Sequence, residues 1–319
     1  LDVGLASSTL RHAGGIWGHT PDGVEPLSAE GYLRVARHLD LDGVHFTELR
    51  HFESLSRGSL STIAGLADDL GLYIELGCSY TSPDILRRAL EAAEHLSCRA
   101  VSVAVGASRL ADGDTWQRRL DAVATDIVEI VPVLEATEIR LGVRNNGDLT
   151  AAEVLRLVEG AGSALVGACV HTASSVFCLE DPNAGALLLA PRAHTVFVAD
   201  MVVEKRSEGC GVSYVALGGG IVANDDLVSM IAKRDRGVRI NINTPLRTEV
   251  IPYLSEGWRD AFGEQAVERF HAWGAQAASR STELAAEAEP PAEEDLLEVE
   301  MSRARASAAY ARHAKWAGL

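Results

Sequence analysis

Positive charge is what this sequence has least of for its size. It carries 29 Lys and Arg against 45 Asp and Glu, a formal net charge of -16. That balance excludes binding to nucleic acid or to an anionic membrane through a general basic surface. Cysteine is also sparse. Cys78, Cys98, Cys169, Cys178 and Cys210 form no C-x-x-C pair, which leaves a zinc-ribbon or redox reading without support. An odd number of thiols, with Cys78 and Cys169 in or beside apolar runs, fits buried residues in a reducing cytoplasm. No apolar run reaches membrane-spanning length, because Pro191 and Arg192 cut the longest candidate, 184–203. The first residues show no basic stretch followed by the apolar core of a signal peptide. No G-x-G-x-x-G turn follows the first apolar run, where Leu5-Ala-Ser-Ser-Thr9 stands, and this argues against an open dinucleotide-binding sheet. No repeat of fixed period is visible.

What is present is alternation. Of the 319 residues, 47% are hydrophobic, enough to bury a sizeable core. Short apolar runs at 2–6, 43–47, 72–77, 100–105, 139–143, 165–170, 195–200 and 238–242 read as strands covered on both faces. Helical patterns separate them. Ser82-Pro83-Asp84 is a helix start with Pro in the first turn. Asp114 to Gln117 and Thr150 to Glu153 read as capping boxes, and Gly160 reads as a helix stop. Eight β-then-α units predict an α/β fold, a (β/α)8 barrel over residues 1–278. Residues 279–295 read as an acidic linker: eight acids and no Lys or Arg lie between Glu283 and Glu300. Residues 296–319 read as a C-terminal helix with Val299, Ala304 and Tyr310 as docking residues, on its own barrel or on a neighbouring subunit.

In such a barrel, chemistry sits at the C-terminal ends of the strands. The candidates there are Arg11, His12, Trp17 and His19 in the first loop, then His45 and Glu48, Glu75 and Cys78, Arg144 with Asn145 and Asn146, His171, Asp200, Asn243 and Arg247. The triple glycine Gly218 to Gly220 has the form of a tight loop that can also cradle an anion.

Several strand-end segments resemble the sugar phosphate isomerase/epimerase family of xylose isomerase-like barrels. They are RNNGDLT after the fifth strand, VGACVHTASS with EDPNA after it, VFVADM, ALGGGIV and RININ. The family's usual forms are ENHGG, VG-x-x-x-DTGN, VHLKD, LGEGVV and INIE. The resemblance implies metal ligands Glu, Asp, His and Glu, and on this chain those positions hold Arg144, His171, Phe197 and Asn243. Three carboxylates are gone, and a guanidinium repels a cation. The expectation is therefore no metal cofactor, with a rearranged site using His171 with Asp200, Glu75 or Glu48 as the alternative.

On this reading Arg144 replaces the metal as electrophile, through paired N–H donors that hold developing negative charge. His171 is the proton shuttle, with its ordinary pKa near neutrality, and Asp200 completes the catalytic set. His12, Trp17, His45, Glu48, Glu75, Asn145, Asn146, Asn243 and Arg247 are the substrate-binding candidates. The bland reading has Arg144 salt-bridged to Glu48, Glu75 or Asp200, and Phe197 as filler. The function expected by analogy is isomerisation, epimerisation or elimination next to a carbonyl on a small carbohydrate-like substrate. The alternative is a non-catalytic barrel that binds a ligand or a partner subunit. No nucleic acid and no membrane are expected as partners, and a homo-oligomer fits equally well.

Overall fold

The computed structural model describes residues 1–16, 21, 23–52, 54–80, 82–106, 108–281, 292, 295–313 and 316. Its strands are β1 (Val3–Ala6), β2 (Gly43–Phe46), β3 (Tyr73–Ser79), β4 (Ala100–Ala104), β5 (Arg140–Arg144), β6 (Val166–His171), β7 (Ala193–Val198), β8 (Asp200–Lys205), β9 (Cys210–Val215), β10 (Arg239–Ile242) and β11 (Thr248–Ile251). β1 to β7 and β10 close into an eight-stranded parallel barrel, with β10 returning to β1. All eight apolar runs are barrel strands.

The two faces of those strands differ, contrary to the expectation of uniformly apolar runs. Leu5, Val44, Phe46, Ile74, Leu76, Val101, Val103, Leu141, Val143, Val170, Val196 and Ile240 belong to the main hydrophobic core. Each such side chain contributes about 1.5–3 kcal/mol on burial. The alternate positions hold small or polar residues such as Gly43, Gly77, Ser102, Cys169, Thr195 and Asn241. A separate small cluster of Ala6, Cys169 and Phe197 sits among them. The pleat sends successive side chains to opposite faces, so this second set lines the barrel interior.

The helices are α1 (Ala29–His38), α2 (Arg57–Leu70), α3 (Pro83–His95), α4 (Arg109–Asp112), α5 (Trp116–Thr137), α6 (Ala151–Gly160), α7 (Pro182–Leu189), α8 (Asn224–Arg234), α9 (Glu256–Phe262), α10 (Glu264–Ser281) and α11 (Leu296–His313). α6 opens with the predicted capping box, with both reciprocal Thr150–Glu153 bonds formed. The other expected box does not form. Thr115 is the N-cap of α5 without a side-chain cap bond, and its hydroxyl donates to Asp112 O instead. Gly160 is still helical, and the left-handed turn comes at Gly162.

One feature escaped the sequence reading, and another was left open by it. β8, β9 and β11 form a three-stranded antiparallel sheet, in the order β11-β9-β8, beyond the end of β7. α11 settles on its own barrel. Glu300 Oε1 and Oε2 accept from His12 N and Ala13 N at 2.9 and 3.0 Å. Arg303 donates to Tyr214 O and Pro245 O, and Leu217 N donates to Ser307 Oγ. Ala304 is fully buried and Tyr310 donates to Asp225, as expected of docking residues, whereas Val299 is only partly buried. Most of the acidic linker lies outside the described residues. Among the described residues, no helix is long and apolar enough to cross a membrane.

Candidate active site

The barrel interior is stacked in polar layers. At the bottom, the space left by Gly4 and Gly43 is filled by the Tyr73 ring, which a Cβ at either position would strike. Arg239 lies 4.0 Å over that ring. Above it, Glu75 Oε2 accepts from Thr195 Oγ1 (2.8 Å) and Asn241 Nδ2 (3.2 Å), and meets His45 Nδ1 at 3.1 Å. His45 Nε2 meets Ser102 Oγ at 2.8 Å. A carboxylate only accepts, so the His45 proton sits on Nδ1 and Ser102 donates to Nε2. Burial holds the His45 pKa down, so the ring is neutral. His45 and Glu75 are 0% and 1% exposed, and the Phe197 ring packs 4.6 Å from His45. Both were substrate-binding candidates. They belong instead to a closed interior network with no face left for a substrate.

Phe197 divides this layer from the mouth. Above it, the four positions aligned with the family's ligands do come together. Arg144 Cζ lies 5.9 Å from the Phe197 centroid and His171 lies 6.0 Å from it. Asn243 bonds His171 at 3.1 Å. Arg144 Nη2 donates to Cys78 O (2.8 Å) and Thr47 O (3.2 Å), the ends of β3 and β2. Gly77 makes room for it, since a Cβ there would lie 3.0 Å from Nη2. Among the described residues, no carboxylate lies within ion-pair distance of Arg144, so the expected salt bridge to Glu48, Glu75 or Asp200 does not form. Arg144 Nε is buried and has no acceptor. An orphan donor of this kind is uncommon in a folded interior.

His171 is a different residue from the one its intrinsic pKa suggests. Burial, then the charges of Arg247 and Arg144, push its pKa down to about 3. It is the neutral imidazole near neutrality, and the expected shuttle role loses its basis. Its Nδ1 accepts from Ala173 N at 3.3 Å, so the proton is on Nε2. The Asn243 amide lies between that nitrogen and Ser8 Oγ (2.9 Å), drawn with Nδ2 towards His171. Two nitrogens cannot both donate across that contact. We assign the amide the other way over, with Oδ1 accepting from Nε2 and Nδ2 donating to Ser8. Asn243 is thereby a fixed orienter of His171.

Asp200 is not part of this cluster. Its Oδ1 accepts from Met201 N and Val222 N, and its Oδ2 from Gly218 N and Gly220 N, each at 3.0 Å. Burial raises its pKa to about 6 against these four donors. The glycine cradle that suggested an anion site is therefore filled by the chain's own carboxylate, and Asp200 is a brace rather than a catalytic group. Asn145 is likewise structural. Its amide ties β5 to β6 through His171 O, His171 N and Ser175 Oγ.

The remaining candidates lie around the rim. Glu48 accepts from Ser79 Oγ at 2.8 Å and lines a cavity of about 420 Å3 with Arg50, Cys78, Ser79 and Arg88. Asn146 and Arg247 line another of about 180 Å3 on the opposite flank. Arg247 pairs with Glu249 and stacks 5.2 Å over Phe177. Neither lining includes Arg144 or His171, which are both 3% exposed. His12 is buried through its backbone bond to Glu300, while Trp17 and His19 lie outside the described residues.

Sequence reasoning missed Tyr214. It is buried on β9, its ring 6.3 Å from His171, and bonded to the Ser174 hydroxyl. Its signal was the apolar pair of runs around Ser207-Glu208-Gly209, a hairpin pattern. The residues at the four aligned positions do not fit a hard divalent cation. A guanidinium occupies one and a phenyl ring another, and the imidazole and amide bond each other. Among the described residues, no group of three His, Cys, Asp or Glu could hold a metal.

Comparison with known proteins agrees with the barrel. A 3-oxo-isoapionate decarboxylase of Pectobacterium atrosepticum is 26% identical over 188 residues, 58% of this chain and 66% of that protein. The chain thus spans just under two thirds of the length of this curated relative. A D-psicose 3-epimerase solved with D-fructose superposes with a TM-score of 0.59 at 14% identity, over 89% of this chain and 99% of that one. A D-tagatose 3-epimerase-like protein gives 0.58 at 16% identity, over 88% and 100%. At such identities the structural likeness speaks for the fold alone. The profile of the xylose isomerase-like TIM barrel family matches residues 33–266, which takes in seven barrel strands whole, the antiparallel sheet and the mouth residues from His45 to Arg247. The chain belongs to that family.

Proposed function

We propose that this protein is a lyase that generates an enolate on a sugar-like 3-oxo carboxylate without a divalent metal, and that the bond it breaks is the one to the carboxylate. In such a step the C–C bond to the carboxylate breaks and CO2 leaves. The electron pair moves into the neighbouring carbonyl, and the resulting enolate takes a proton to give the ketone. The observation that carries this reading is Arg144. At the end of β5, its guanidinium is fixed by two backbone carbonyls from the ends of β2 and β3, with a buried Nε–H that has no acceptor. A preorganised cationic donor of this kind stabilises an enolate oxygen. Decarboxylation is favoured over epimerisation because it needs no base to start it. His171 is held neutral, Asp200 is saturated by four N–H donors, and Glu75 lies under Phe197. The Tyr214 phenol, kept protonated by burial, is the group suited to return the proton. The name of the curated relative, a 3-oxo-isoapionate decarboxylase, supports the same substrate class.

The test is to incubate the protein with 3-oxo sugar acids in deuterated buffer containing a chelator, measuring CO2 and deuterium together. The reading expects CO2 release with one deuterium in the product and no response to added Mn2+. Deuterium exchange without CO2 would point to an epimerase with Glu48 as base, and activity that requires Mn2+ would overturn the metal-free mechanism. A second reading, a barrel that binds such an acid without turning it over, is favoured by the 3% exposure of Arg144 and His171. It expects saturable binding and neither signal.

A further inference from the structure

The cavity beside Asn146 is built from five separate segments of the rim. They are α4, the loop after β5, the short helical turn Ser174–Cys178 after β6, the approach to β11, and α9. Its walls are aromatic. Trp258 and Phe262 stack at 5.3 Å with their planes 17° apart. Arg109 lies 5.5 Å over Phe262 and 4.8 Å over Trp116. On the other side Arg247 lies over Phe177, and the loop at Gly147 runs so close to that side chain that a Cβ would be 3.0 Å from its Cβ and 3.2 Å from the ring. Gly147 has φ +85°, a conformation that favours glycine.

The charges in these walls are internally balanced. Arg109 pairs with Glu153 and Arg247 with Glu249. A cavity meant for a second anion would leave its guanidinium groups without carboxylates. Here each planar cation sits beside an acceptor, next to a flat apolar surface. That combination suits a polyol: its C–H face lies on an aromatic ring, and each hydroxyl both donates and accepts. A volume of about 180 Å3 is on the scale of one sugar-sized chain.

We infer that this cavity is a subsite for the neutral, hydroxylated end of the substrate, with Phe177 and Trp258 as its stacking surface and Asn146 and Arg247 as its hydrogen-bonding groups. The inference rests on the reading of a sugar-like carboxylate and adds its orientation. Asn146 follows Arg144 by two residues, so the carboxylate end lies at the mouth and the hydroxyl tail runs outward over the β5 loop. Specificity for the tail is then set on the rim, apart from the chemistry.

The experiment is saturation-transfer NMR with D-gluconate, which has both ends, and D-glucitol, which lacks the carboxylate. Wild-type protein should saturate the protons at C4 to C6 of gluconate most strongly. Trp258→Ala should weaken both probes by about five- to tenfold, the size of a lost aromatic contact. Phe177→Leu should do the same and guards against a folding defect in the first variant. Arg144→Met should weaken gluconate and leave glucitol unchanged. If folded Trp258→Ala and Phe177→Leu proteins bind both probes as wild type does, or if neither probe binds the wild type, the subsite is refuted. If Arg144→Met leaves gluconate untouched while Trp258→Ala weakens it, the subsite stands and the placing of the carboxylate end beside Arg144 falls.

Discussion

Exchanging Arg144 for Lys separates its charge from its geometry. The guanidinium uses Nη2 to reach Cys78 O and Thr47 O and leaves a buried Nε–H without an acceptor, the donor that the proposed mechanism offers to the enolate oxygen. A lysine ammonium can bond the same carbonyls but has no second, fixed donor on a planar fork. Loss of one donor to a developing oxyanion costs about 100- to 1,000-fold in kcat. We therefore expect Arg144→Lys to lower kcat for CO2 release by that factor, with KM changed by less than about threefold. Arg144→Met removes the charge as well and leaves two carbonyls without donors, at roughly 1–3 kcal/mol each. Folding must therefore be verified by circular dichroism before its activity is read. Gly77→Ala crowds the guanidinium while leaving it intact, but its Cβ would stand 2.8 Å from Ser102 Oγ as well as 3.0 Å from Nη2 and from Thr47 O, so the His45–Ser102 contact is disturbed with it. CO2 trapped from a 3-oxo sugar acid is the assay. If Arg144→Met keeps kcat within threefold of wild type, the electrophile is some other group. If Arg144→Lys is fully active and Arg144→Met is not, charge matters and the Nε assignment is wrong.

Acid stability tests the state of His171. Its folded pKa of about 3 lies below the ordinary 6.5, so the unfolded chain takes up a proton first as pH falls. Its contribution is present in full above 6.5 and is lost towards 3, about 2 kcal/mol of it by pH 5. In His171→Asn the stability difference between pH 7 and pH 5, measured by denaturant titration, should shrink by that amount, and an unchanged difference would contradict a buried neutral ring. Asp200→Asn should lower the melting temperature and speed amide exchange over 218–222, yet keep kcat within about tenfold of wild type; a loss of the size expected for Arg144 would restore Asp200 to the catalytic set. Glu300→Ala should accelerate exchange at the His12 and Ala13 amides by at least about tenfold, whereas protection equal to wild type would mean that α11 does not hold the first loop.

The barrel was legible because its signals are local. Each strand is a short apolar run and each helix has its own start, as at Thr150 and Pro83. The alignment of Arg144, His171, Phe197 and Asn243 was legible too, since strand order fixes which strand ends meet. What each residue does there was not. His171 looks like a proton carrier until burial and two guanidinium groups around it are known. Asp200 looks catalytic until four backbone donors from the following loop and strand are seen on it. The partners of His45 and Glu75 come from three other strands, β4, β7 and β10, and no spacing rule connects them. The antiparallel sheet was missed although its turn residues were visible, because Asp200 was taken as the end of a barrel strand. It opens the next strand instead.

Phe197 has one more consequence. It lies between the lower network and the residues at the mouth, and among the described residues no side-chain hydrogen bond joins the two storeys, although the Arg144 charge is still felt at His45. The hydrogen bonds of Glu75, His45, Thr195 and Asn241 close among themselves, Ser102 and Tyr73, and take none from Arg144 or His171. A lineage with this floor plan can exchange the groups at its mouth, carboxylate for guanidinium or aspartate for histidine, while the foundation beneath remains the same. The chemistry of such a barrel is a replaceable upper storey.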